Sequence, residues 1–246
     1  MEVHHPHHPT HKKKWTEYLL EFFMIFLAVF LGFIAENIRE QIVEKSKGKE
    51  YIRSFSEDLQ KDLKQLSNVI PQVVERKRRL DSLNYYLHHI DQHTAELYYY
   101  ARHSTRPASF APNDRTIVQL KNSGGFRLVS NKESVDSIMR YQTFLDRYQY
   151  ALSRDAEEVE HLHSYLSKLF DASVFETMID SVNIIHKPLG NPPILSKDPA
   201  LINEFSYYIH QRITTTYVEI QILQRIQLIA SKTLKFLEEK YHLKNE

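Results

Sequence analysis

The chain has 246 residues, a formal net charge of +1 from 32 Lys+Arg against 31 Asp+Glu, and 42% hydrophobic residues, enough for one sizeable core. The absence of Cys excludes disulfides, thiolate metal sites and Cys nucleophiles. Balanced charge argues against nucleic acid as a partner, and with only 5 Gly there is no Gly-rich phosphate cradle and little material for hairpins.

Residues 1–14 form a His-rich basic tail, MEVHHPHHPTHKKK. His4, His5, His7, His8 and His11 are dense enough for a flexible tail to chelate a transition metal weakly. A disordered polar tail is the simpler expectation, and no cofactor is otherwise expected. Elsewhere His89 and His93 have helical i, i+4 spacing but lack an H-E-x-x-H glutamate.

Residues 15–38 read as a transmembrane helix. Phe22 to Ala35 is 14 residues without a polar side chain. With Tyr18, Leu19, Leu20 and Ile38 the apolar register reaches about 21 positions, or roughly 30 Å, the hydrocarbon thickness. Trp15 and Tyr18 stand where an aromatic belt would, behind Lys12, Lys13 and Lys14. No small-residue cleavage site follows, and polar helix continues from Glu36, which disfavours a signal peptide. Glu21, Ala28, Gly32 and Ala35 share one helical stripe, opposite Phe22, Phe23, Phe26, Phe30 and Phe33. Ala28 and Gly32 form a small-xxx-small pair, so the stripe is a candidate helix–helix interface. Basic residues flank both sides, Arg39, Lys45, Lys47, Lys49 and Arg53 after the span. The contiguous upstream block is the harder one to translocate, which favours a cytoplasmic N-terminus and an extracytoplasmic domain.

Residues 39–246 are expected to form one all-α, four-helix-bundle-like domain, continuous with the membrane helix. Ile42, Ile52, Phe55, Leu59 and Leu66 give a first apolar stripe. Pro71 is expected to kink or break it, and a second pattern runs from Val73 to about Ile90. The Arg76–Arg79 run and the acidic pairs Asp58/Asp62 and Glu157/Glu158 read as solvated helix faces. Arg102 to Asp114, with two Pro, reads as a loop. Asn113 or Asp114 is expected to cap a short helix that Gly124-Gly125 stops. Asn131 caps a long helix to about Phe170, and a short helix covers about Val174 to Ser181. Asp198-Pro199 opens the last helix, which runs to about Tyr241. No strand longer than Phe126–Val129 is needed.

Two stretches, LEFFMIFLAVFLGFIAENIRE (Leu20 to Glu40) and LKNSGGFRLVSNKESVDSIMRYQ (Leu120 to Gln142), resemble an uncharacterised family of bacterial single-span membrane proteins with a helical C-terminal domain. The resemblance covers about a third of the chain. It implies anchorage in a bacterial inner membrane and lends no active site.

The chain contains no nucleophile elbow, Walker A, Rossmann fingerprint or zincin helix. The leading expectation is therefore a non-enzymatic, membrane-anchored helical protein that works through oligomeric assembly or protein–protein contacts. Its partners would be the lipid bilayer and a second copy or another membrane protein. The alternative is an extracytoplasmic sensory or ligand-binding bundle, with Tyr98, Tyr99, Arg102 and Arg127 lining a pocket between helices.

Overall fold

The computed structural model describes residues 14–243. Helix α1 is a single uninterrupted element, Trp15–Leu87, of 73 residues and roughly 110 Å. Its first part, 15–43, is exposed throughout, and this is a helix long and apolar enough to cross a membrane. Gly48 is the first buried residue. A β-carbon there would collide with the backbone carbonyl of Leu128, so only glycine allows the 3₁₀ turn Gly125–Leu128 to rest on α1.

Pro71 does not break the helix. It lies within α1, where it removes one backbone donor at a local cost of about 3 kcal/mol. Leu66, Val69 and Val73 on either side are buried in one core, and that packing overrides the local penalty. The two apolar patterns read from the sequence are thus one helix.

The leg antiparallel to α1 is built differently, from three short pieces. These are α2 (Thr94–His103), an extended strap over 104–114, and α3 (Arg115–Asn122). Arg102 and His103 belong to α2, and Ser104 is buried rather than exposed in a loop. Where the strap packs against the bundle its inward backbone N–H groups need partners, and its neighbours supply them. Tyr148 accepts from Phe110 N (2.7 Å), Gln65 from Ala111 N (2.6 Å) and Asp62 from Asn113 N (2.8 Å). Pro107 and Pro112 have no N–H to satisfy. Asp58 of α1, not the Asp114 side chain, takes the Thr116 N–H and hydroxyl at the start of α3. Asp58 and Asp62 are therefore buried anchors, correcting their reading as a solvated face.

After Gly124, whose φ of 65° is left-handed, the chain enters the 3₁₀ turn, so Phe126–Val129 is not a strand. Helix α4 (Lys132–Leu169) starts at Asn131, whose side chain accepts from Ser134 N at 2.8 Å. Helix α5 is short, Ala172–Thr177, and capped by Asp171. Helix α6, Pro199–Tyr241, is capped by Asp198, which accepts from Ala200 N at 3.1 Å, with Pro at its first turn. All three caps follow the ordinary chemistry of Asn and Asp at helix starts. Among the described residues there is one isolated β-bridge, Ile179 to Ile185, and no strand.

The fold is all-α, with α6 at its centre, packed lengthwise on both α1 and α4. The near core joins Ile52, Phe55, Leu59 and Leu66 of α1 to Ile138, Tyr141 and Leu145 of α4 and Leu223 and Ile226 of α6. The far core joins Leu83 and Leu87 to Leu97, Tyr98 and Ala101 of α2, Leu162 and Leu169 of α4, and Phe205 and Ile209 of α6. This order makes α1 and α4 run one way, α6 and the α2–strap–α3 leg the other.

Candidate functional site

The sequence-predicted residues fall in three places. Glu21, Ala28, Gly32 and Ala35 all lie in the exposed first part of α1, and open space surrounds Gly32. The histidines of the tail, His4, His5, His7, His8 and His11, lie outside the described residues. Among the described residues no cluster of three metal-ligating side chains occurs.

The third group does not converge. Tyr98 is fully buried at the far end, where its hydroxyl donates to Pro193 O and accepts from Asp171 N, both at 3.0 Å. It pins the loop before α6 and lines no open space. Arg102 lies over the Phe175 ring at 5.8 Å, and Tyr99 stacks edge-on against Tyr100 and His103. Arg127 sits in the 3₁₀ turn near Gly48, 3.9 Å from Glu44. Gly48 to Leu83 is 35 positions along α1, so Arg127 stands on the order of 50 Å from Tyr98.

Between the two apolar cores lies a layer of buried polar and charged groups, which corrects the expectation of a solvated face for two of them, Arg76 and Glu158. Its members are Arg76 of α1, Asp155 and Glu158 of α4, and Arg212, Thr216 and Glu219 of α6. Each occupies a core-facing register position, as in Val69, Val73, Arg76, Leu80, Leu83 on α1. Arg212 is fully buried and grips Asp155 with two parallel bonds, Nε at 2.9 Å and Nη2 at 3.1 Å. Arg76 bonds Glu219 and stands 3.8 Å from Asp155, and the Thr215 hydroxyl donates to Glu158 at 2.7 Å. Two guanidiniums thus meet three carboxylates. Burial above all pushes the Glu158 and Glu219 carboxyls up from their ordinary values, with Asp155 adding to the shift. Buried polar atoms here still lack partners among the described residues, among them Arg76 Nε, Arg212 Nη1, Glu158 Oε2 and Glu219 Oε1.

Arg76 also faces outward into a recess of about 340 Å³ between α1 and the end of α2. Gln72, Glu75, Arg79, His103 and Arg106 complete its polar lining, with Pro71, Pro107 and Ala108 as its apolar part. Glu75 accepts from Arg78 Nε and Nη2, each at 2.7 Å, and from Arg79 Nε at 2.8 Å. Those bonds, Arg78's first, hold its carboxyl down at about 2. Arg79 also donates to His103 Nδ1 at 2.8 Å. Arginine cannot accept, so neutral His103 carries its proton on Nε2, which is buried without a partner. Burial and the nearby Arg79, Arg106 and Arg102 hold the imidazole neutral down to about 4. Sequence reading missed this site because its parts come from distant segments. The signal present was charge at core register, most clearly Arg76 three residues after Val73.

The chain is thus a helical bundle, divided by a buried ionic layer, whose first helix begins with a long exposed apolar segment. Set against known proteins, it matches no protein family, no curated sequence and no solved structure.

Proposed function

We propose that this is a non-enzymatic, single-pass membrane protein whose helical domain acts through assembly or protein–protein contacts. The observation that carries this reading is the continuity of α1. One helix runs without a hinge from an exposed apolar segment of transmembrane length through the whole bundle. Exposed Phe22, Phe26, Phe30 and Phe33 suit lipid, and Ala28, Gly32 and Ala35 form a face that a second backbone can approach closely. The resemblance noted for Leu20–Glu40 favours a bacterial inner membrane. The contiguous upstream lysines favour a cytoplasmic N-terminus with the bundle outside.

The topology has a direct test, because the chain lacks native Cys. A Cys introduced at Ser109, exposed in the strap, is expected to react with a reagent that cannot cross the inner membrane, and one at Thr10 is not. The reverse pattern would place the bundle in the cytoplasm. Release of the chain by a carbonate wash would refute membrane integration altogether.

Assembly through the membrane helix predicts a specific asymmetry. Gly32→Leu adds bulk where two backbones would meet, and is expected to abolish most of a cross-linked oligomer in native membranes. Phe30→Leu changes only the lipid-facing side and is expected to leave it intact. Glu21→Gln separates protonation from packing. Its effect is expected to be mild, since interhelical hydrogen bonds in membranes are worth about 0.6–2 kcal/mol. An oligomer indifferent to Gly32→Leu would make the helix a simple tether.

A second reading, a ligand-binding or sensory bundle, is favoured by one observation: the arginine-lined recess beside the ionic layer.

A further inference from the structure

We propose that the recess lined by Arg76, Arg79, His103 and Arg106 binds a small soluble oxyanion, the phosphate or carboxylate group of a compact ligand. The inference deepens the ligand-binding reading and is independent of how the membrane helix is oriented or assembled.

The case rests on hydrogen-bond donors that the fold gathers without acceptors. Glu75, the one carboxylate in the lining, already receives three N–H bonds from Arg78 and Arg79. Asp155 and Glu219 answer the charge of Arg76 from the inner side. Arg106 has neither an ion pair nor a guanidinium hydrogen bond among the described residues. Arg76 Nε and the Nε2 proton of His103 are buried with no acceptor among the described residues. Buried donors left unmet destabilise the structure that holds them, and an acceptor that meets them is bound the more tightly. Guanidinium groups present forked donors whose geometry matches phosphate and carboxylate oxygens. An oxyanion here would take bonds from Arg106 and Arg79, beside the buried charge of Arg76, whose Nη1 also donates to Ala108 O, and would supply negative charge that Glu75 alone does not. A cation would meet one exposed arginine, Arg106, and one half-buried one, Arg79, with a single, already committed carboxylate.

Size and position narrow the ligand further. The recess, about 340 Å³, suits an anion with few heavy atoms. Arg79 lies 40 positions beyond Arg39, or roughly 60 Å along α1. No lipid headgroup at the end of the apolar segment reaches that far, so the ligand comes from solution.

The test uses the full-length protein in detergent micelles, titrated by calorimetry with inorganic phosphate in one arm and succinate in the other. Ionic strength is matched with sodium chloride, because salt screens exposed charge. Saturable binding is expected in at least one arm, and that arm identifies the headgroup. Arg106→Gln, at an exposed position that does not hold the fold, is expected to weaken it by about tenfold or more. Arg79→Gln is expected to act in the same direction, and Arg154→Gln, on α4, to leave binding unchanged. Absence of saturable binding in both arms would overturn the proposal. So would affinity unmoved by Arg106→Gln and Arg79→Gln, or equal losses in Arg154→Gln, which would mark diffuse surface attraction. None of these outcomes touches membrane anchorage, which the carbonate wash tests separately.

Discussion

Arg212→Met is expected to lower the unfolding free energy of the bundle by about 3–5 kcal/mol, measured by denaturant titration in detergent. The side chain is fully buried and holds both oxygens of Asp155. Removing it strands that carboxylate beside Glu158 and Glu219, and a single remaining guanidinium, Arg76, faces three acids. Methionine roughly preserves the volume, so the loss reports charge more than cavity. The double variant Arg212→Met/Asp155→Leu is expected to recover much of the loss, because removing both partners leaves no uncompensated charge. If the single variant stays within about 1 kcal/mol of wild type, the layer does not hold the bundle together.

The same layer gives stability a pH dependence whose sign is opposite to that of an ordinary salt bridge. Glu158 and Glu219 titrate higher folded than unfolded, so the folded state holds protons that the unfolded chain releases. Their contribution is fully present below the ordinary glutamate pKa and is lost as pH rises through the raised folded values. Glu158→Gln keeps an acceptor for Thr215 but carries no charge. It is expected to be less sensitive than wild type to rising pH across that window, and more stable than it at the alkaline end.

Asp62→Ala should release the strap. Its carboxylate accepts from Asn113 N at 2.8 Å, Asn113 Nδ2 at 2.7 Å and the Tyr141 hydroxyl at 2.7 Å. Burial first, then Asp62 itself, pushes the Tyr141 hydroxyl well above its ordinary pKa, so it remains a donor at all working pH values. With Asp62 gone, three donors lose one acceptor, at a cost of about 3 kcal/mol or more. Tyr141→Phe removes only one of these bonds and is expected to cost about 1–2 kcal/mol. Limited proteolysis separates strap release from global unfolding. Trypsin is expected to cut early at Arg115 in Asp62→Ala, whereas Arg212→Met opens many sites at once. An uncut Arg115 in Asp62→Ala would mean that Gln65, Tyr148 and Asp58 suffice to hold the strap.

The long helices were legible because their signals are local. Asn131, Asp198 and the apolar registers that follow them act within one turn or along one face, and the observed starts of α4 and α6 match them. Of the leg formed by α2, the strap and α3, only α3 was legible, between Asp114 and Gly124-Gly125. Pro107, Pro112 and the polar residues around them signal a loop whether the segment is solvated or buried. What decides is donors and acceptors on α1 and α4, far away in sequence. Pro71 misled for the converse reason: its cost is local, while the packing that outweighs it is not. The ionic layer left a trace in the sequence. Asp155 follows Tyr148 by seven positions, and Arg212, Thr216 and Glu219 follow Ile209 at alternating steps of three and four. Taking charge as synonymous with surface hid that trace.

An unbroken α1 fixes the rotational phase between its two ends. Leu59, facing the core, stands 27 positions beyond Gly32, which at about 100° per residue is about seven and a half turns. The small-residue face of the apolar segment therefore points away from the near core of the bundle. Gln72 and Arg79, by the same count, fall within about 40° of the Gly32 direction. If two copies meet on their Gly32 faces, the bundles must stand back to back, their cores turned outward and the arginine recesses brought toward a common twofold axis. A single-residue insertion between Arg39 and Gly48 would swing each bundle by about a quarter turn and turn those recesses away from the axis, with every contact inside the bundle unchanged.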